Sequence, residues 1–177
     1  MRWWAHLAIG GALGATFGGP AALPAALVGS TAPDWLEWCA QRLGGRRRVK
    51  HRGATHYLAV WLALAPGLAL LPGPWSLAAW FAWGGLAHVC ADALTVSGVP
   101  VGPWSDRRVH FAGGRIRTGG LGEWLAVALV CGGCLGAGYL THAGEGWRPY
   151  QWAPWGDWAE AGLIDRSEWR ANRWRVW

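Results

Sequence analysis

Charge is scarce in this chain. Asp, Glu, Lys and Arg make up 15% of its 177 residues, while apolar types make up 53%. Soluble domains carry roughly 25% charge, so an ordinary water-exposed surface is not expected here.

Acids are scarcer still where basic residues gather. Residues 42–52 (RLGGRRRVKHR) hold six Lys or Arg and no acid, and residues 102–117 hold Arg107, Arg108, Arg115 and Arg117 against Asp106. The tail from residue 142 balances five basic residues with five acidic ones, so the net charge of +6 sits in two short loops. Loops beside a membrane explain that distribution more simply than a nucleic-acid surface, and no sequence-specific nucleic-acid partner is expected.

Cysteine is limited to Cys39, Cys90, Cys131 and Cys134. Three of these lie in apolar stretches, which argues against a disulfide framework. The CxxC of CGGCLG has no second pair, and small-residue packing explains it better than redox or zinc chemistry. No internal repeat is visible. The first nineteen residues have the outline of a signal peptide, but His6 and the Trp3-Trp4 pair do not suit one.

What is abundant is Gly, with 28 residues, and Trp, with 17. Small residues let helices approach closely and Trp favours the bilayer interface, a combination suited to a small membrane protein. Four apolar stretches stand out, at 7–29, 57–71, 75–97 and 124–141. The expected fold is all-α, an integral membrane helical bundle. Residues 1–141 form the membrane-embedded metal-site domain and 142–177 a Trp-rich amphipathic tail lying on the membrane surface. If the last three stretches span, both basic loops fall on one face and the uncharged PGPW turn on the other. The positive-inside rule then makes the protein multi-pass with its basic loops cytoplasmic.

The chemistry begins at GGLAHVCADAL, residues 84–94, where His88 and Asp92 stand in an otherwise apolar helix. Spaced i and i+4, they project from one face. Alone, the pair suits a structural hydrogen bond as well as a ligand pair. Asp34 in STAPDW and His56 in RGATHY fall at the same inferred depth, and two carboxylates with two histidines suit zinc or another divalent ion. His6 joins them only if 7–29 does not cross the membrane once. Gly18-Gly19-Pro20 allows two half-length helices instead, a re-entrant hairpin packed along Gly10, Gly14 and Gly18 that returns Asp34 to the side of His6.

HLAIGGALGA, STAPD, HRGATH, GLAHVCADALTVSGVPVGPWSDRRV and RIRTGG together resemble the YdjM-like family, bacterial inner-membrane proteins assigned as metal-dependent hydrolases. The resemblance covers roughly residues 5–125, and the order RGxTH, HxxxDxxTxxG, RTG carries its specificity. The order of ligand candidates is also similar to that of the zinc-dependent phospholipase C and P1 nuclease group. Carried over, the resemblance implies one or two divalent ions, best matched by Zn2+ in their donor types, on His6, Asp34, His56, His88 and Asp92, with Asp92 as a candidate bridge. The chain has no HxxxE, so the third ion of that group is not implied.

Arg52, Arg107, Arg108 and Arg117 are candidates for binding phosphate oxygens, with lipid headgroup contact as the plainer alternative for each. Thr55 and Thr95 are candidates for hydrogen-bonding the ligands. His51 and Glu123 are candidate catalytic groups, although Glu123 also suits the cap of the last helix. The resulting expectation is a membrane-bound metal-dependent hydrolase acting on a phosphoester, with a phosphorylated or anionic lipid as one substrate. The alternative is a non-enzymatic scaffold or transport component using His88 and Asp92 as a structural or proton-relay pair. Haem ligation by intramembrane histidines fits less well, because it does not call for the carboxylates.

Overall fold

The computed structural model describes residues 1–43, 52–71 and 75–142, with single positions at 162, 165 and 167. His51, the 72–74 turn and nearly all of the 142–177 tail lie outside the described residues.

The first apolar stretch is broken in two. Helix α1 (Trp3–Phe17) has 15 residues and α2 (Gly19–Gly29) has 11. At 1.5 Å per residue they are about 22 Å and about 16 Å long, each short of a hydrocarbon core of about 30 Å. They pack antiparallel through small residues. A Cβ on Gly10 would lie 2.4 Å from the Cβ of Ser30, and one on Gly14 would lie 2.8 Å from that of Ala26. Any larger side chain there would wedge the hairpin open. The turn brings Asp34 back to the end of α1 that carries His6.

Helix α3 (Ala32–Leu43) follows at once, with Asp34 in its first turn, where a carboxylate complements the helix dipole. A short 3-10 turn, Ala54–His56, leads into α4 (Leu58–Ala69), an apolar helix of 12 residues. Helix α5 (Trp75–Ala93) is the central element, packing on α1, α2 and α4. Its glycine pair makes this possible. Gly84 meets the backbone of α2 at Ala26 and Ser30, while Gly85 lies under the ring of Trp61 from α4. Leu58, Trp61, Leu86 and Val89 form the core on the α4 side, and Met1, Ala5, Ile9 and Val127 form a second cluster between α1 and α6.

The chain is mostly helical as expected, but not all-α. Residues 99–109, which overlap the loop read at 102–117, form a two-stranded antiparallel sheet of β1 (Val99–Gly102) and β2 (Ser105–Val109). Val99 pairs with Val109 and Pro100 with Arg108, and the register is irregular between Pro100 and Gly102. Strands this short, broken by Pro and Gly, give no alternating pattern long enough to read. Val99 anchors the sheet by being fully buried against α4 and α5.

Helix α6 (Leu121–His142) closes the fold against α1, where Trp4 stacks on Trp124 at 4.1 Å between ring centroids. Among the described residues it supplies the one segment both long and apolar enough to cross a membrane, Leu121–Thr141, of which 17% is buried. Leu121, Leu125, Leu129 and Leu140 all face outward. The 57–71 stretch yields only the shorter apolar helix Leu58–Ala69.

Candidate metal centre

Five candidate ligands from separate parts of the chain converge. His6 comes from α1, Asp34 from α3, His56 from the 3-10 turn, and His88 and Asp92 from α5. The three imidazoles and Asp92 are buried, whereas the Asp34 side chain is 23% exposed and forms the open edge. His6 stacks on His88 with ring centroids 3.6 Å apart, and His56 meets His88 edge-on at 5.3 Å.

The ligand-atom separations are informative. His56 Nε2 lies 3.3 Å from Asp34 Oδ1 and 3.9 Å from Asp92 Oδ2, and His88 Nε2 lies 3.6 Å from each of the same two oxygens. These are longer than charge-assisted hydrogen bonds of about 2.7–2.9 Å. They approach the spacing of about 3.3 Å between neighbouring ligands on tetrahedral zinc with bonds of about 2.0–2.1 Å. His6 Nε2 lies 3.5 Å from the other oxygen of Asp92, Oδ1.

The ring nitrogens are oriented from behind. His88 Nδ1–H donates to the Ser30 carbonyl at 2.7 Å, which leaves the Nε2 lone pair facing the cluster. His56 Nδ1 has Thr55 Oγ1 at 3.1 Å and Glu37 Oε2 at 3.6 Å, so its Nε2 faces Asp34 and Asp92. Among the described residues, neither nitrogen of His6 nor Nε2 of His88 has a hydrogen-bond partner. Leaving a buried polar atom unsatisfied costs about 1–3 kcal/mol, so the Nε2 atoms of His6 and His88, both facing carboxylates, fit a site built to bind a cation. Imidazole nitrogen with carboxylate oxygen is also a donor set that zinc accepts. Burial raises the Asp34 carboxyl, but the neighbouring imidazoles of His56, His88 and His6 outweigh that and hold it below the usual carboxylate range.

The arginines separate into two groups. Arg52 is buried, with Nη2 2.7 Å from Asp92 Oδ1 and Nη1 donating to Thr95 Oγ1 at 3.0 Å. The amino group of Met1 lies against the same Asp92 oxygen. Arg107 and Arg117 are exposed, and Arg108 donates to the carbonyls of Ser97 and Gly98, bracing the sheet. Glu123 stands apart from the cluster as a helix cap. Its carboxylate accepts from the backbone N–H groups of Arg2 and Gly119, tying the start of α1 to α6.

Two participants escape sequence reasoning. Glu37 is buried and accepts from the backbone N–H of Arg52 at 2.8 Å as well as facing His56. Its spacing three residues after Asp34 is a signal in hindsight, since both then lie on one helix face. The Ser30 carbonyl carries no side-chain signal at all.

A cleft of about 530 Å³ reaches the cluster at Asp34 and Glu37, walled by Trp3, Trp35, Trp38 and Gln41. Arg42 lies over the Trp38 ring at its rim, 5.1 Å from the centroid.

A family model described as YdjM inner membrane protein matches residues 1–156. The chain belongs to this family. Its members are inner membrane proteins, in agreement with the outward-facing leucines of α6. The further likeness to zinc-dependent phospholipase C and P1 nuclease finds no support in the family match. No curated protein and no solved structure matches the chain.

Proposed function

We propose that this YdjM family member is a membrane-bound hydrolase that uses a divalent ion, zinc by its donor set, held by His6, Asp34, His56, His88 and Asp92. The observation that carries the reading is the set of separations, 3.3–3.9 Å, among two Nε2 atoms and two carboxylate oxygens in a buried pocket. An ion bound there supplies an acidified water and a Lewis acid for hydrolysis near neutral pH.

The remaining chemistry belongs to the chain. Asp34 is the ligand that opens to the cleft, so substrate approaches along Trp3, Trp35 and Trp38. The basic run 42–52 starts where α3 ends, with Arg42 at the cleft rim, and this favours an anionic substrate. A phosphoester, either a phosphorylated lipid or a nucleotide-like molecule, meets that requirement. Tryptophans at the mouth suit a site at the membrane interface. The protein is multi-pass in this reading, with its basic loops cytoplasmic and the 142–177 tail on the membrane surface.

The test is a panel of phosphomonoesters and phosphodiesters offered to detergent-purified protein, with metal content measured in parallel. Hydrolysis that disappears on chelation and returns with Zn2+ is the expected result. Stoichiometric metal without turnover of any ester would sink the hydrolase, and a protein that binds no metal would be left with the proton-relay role of His88 and Asp92.

A further inference from the structure

The candidate ligands divide into two overlapping groups, His6 with Asp34 and His88, and His56 with His88 and Asp92. His88 belongs to both. Its Nδ1–H is committed to the Ser30 carbonyl, so it offers one lone pair, on Nε2. Two ions cannot both use it. The groups therefore describe one pocket.

A second ion sharing Asp92 would have to use Oδ1, the oxygen turned toward His6. That oxygen is taken by Arg52 Nη2 and by the amino group of Met1, and the guanidinium is braced by Thr95. The backbone of Arg52 is held as well. Its φ is +53°, in the left-handed region that a side chain other than glycine occupies at a cost of roughly 1–2 kcal/mol. Its N–H donates to Glu37 Oε2 in that conformation. A strained backbone held by a buried carboxylate and ending in a buried ion pair indicates a specific task for the side chain.

The charges point the same way. Asp34, Glu37 and Asp92 bring three negative charges to the pocket, and Arg52 and the amino group of Met1 bring two positive charges. One divalent ion leaves a single positive charge in excess; two would leave three in a buried site, at a much larger cost.

Resting on the metal reading above, we infer that the centre is mononuclear, and that Arg52 is a positioning residue whose guanidinium occupies the place of a second metal ion. Arg52 holds Asp92 so that Oδ2 alone faces the ion. Among the arginines, it acts on the metal pocket rather than on a substrate phosphate.

Manganese tests this without any substrate. Full-length protein in detergent is titrated with Mn2+, bound metal is counted per chain, and the electron paramagnetic resonance spectrum is recorded. One Mn2+ per chain with an uncoupled six-line spectrum is the expected result for the wild type and for Arg52→Lys. Arg52→Met is expected to take up a second Mn2+ at excess metal and to show an exchange-coupled signal, because Asp92 Oδ1, left beside the amino group of Met1, no longer carries the guanidinium that blocks bridging. Two coupled ions in the wild type would overturn the inference, as would an Arg52→Met protein that folds and stays at one ion. If Arg52→Met does not fold, the wild-type and Arg52→Lys spectra decide. Binding of no Mn2+ or Zn2+ at all would overturn the metal reading itself, and this inference with it.

Discussion

Glu37 stands behind His56. Its Oε2 lies 3.6 Å from Nδ1 of that ring, on the side away from Asp34 and Asp92. A carboxylate in this position favours the tautomer with its proton on Nδ1, which leaves the Nε2 lone pair toward the cluster. Glu37→Gln keeps the shape and removes the charge. Zinc affinity, measured by competition with a chromophoric chelator, is expected to fall roughly 10–100-fold with little change in helix content. Unchanged affinity would show that Glu37 serves only the backbone of Arg52.

The α1–α2 hairpin depends on glycine where the helices touch. Gly14→Val places a branched side chain where a Cβ alone already comes within 2.8 Å of Ala26. A loss of about 1–3 kcal/mol is expected from overpacking, along with weaker zinc binding as His6 and Asp34 are pushed apart. Gly67→Ala is the control, because a Cβ there meets nothing within 4 Å. It is expected to leave zinc binding unchanged and to stabilise α4 by about 0.5–1 kcal/mol. Thermal unfolding in detergent reads both.

Glu123 distinguishes a cap from a catalytic base. Its carboxylate holds two backbone donors, those of Arg2 and Gly119. Glu123→Ala is expected to lower stability by about 1–3 kcal/mol for each donor left buried and unpaired. Zinc stoichiometry should stay at the wild-type value. A variant that melts like the wild type would remove the cap assignment.

Acid should release the ion. Histidines ligate only as neutral imidazoles, and the centre has three. The sign runs opposite for Asp34, whose lowered pKa keeps it ionised as pH falls through the histidine range. Zinc affinity is therefore expected to fall on acidification, because protons and the ion compete for the same imidazole lone pairs. Equilibrium dialysis over a pH series checks it, and an ion retained at every pH would mean that the imidazoles are not ligands.

Much of this arrangement could be read from the chain because of where polar residues are forbidden. His88 and Asp92 stand out in an apolar helix, and Gly18-Gly19-Pro20 marks a joint in a stretch otherwise long enough to span. Asp34 and His56 sit at the edges of apolar runs, so their depth follows from their position. Other features left no such trace. Glu37 lies in an amphipathic helix where an acid ordinarily faces water, and nothing local announces that it is buried. Arg52 belongs to a basic run that reads as one solvated loop, yet its direction is set by Asp92, forty residues away. The sheet at 99–109 owes its existence to the burial of Val99 rather than to an alternating pattern. Periodicity reports which face is apolar; it is silent on which polar group turns inward.

The hydrogen bond from His88 to the Ser30 carbonyl gives the centre an order of assembly. Ser30 follows the last turn of α2, so this bond exists only after the hairpin has folded back and α5 has docked against it. Before that event the imidazole of His88 is free to change tautomer and rotate, and His6, Asp34 and His56 lack the two candidate ligands that α5 supplies. On the proposed metal reading, capture of an ion is then a late step in biogenesis, one that seals a bundle already closed and leaves misassembled chains without cargo.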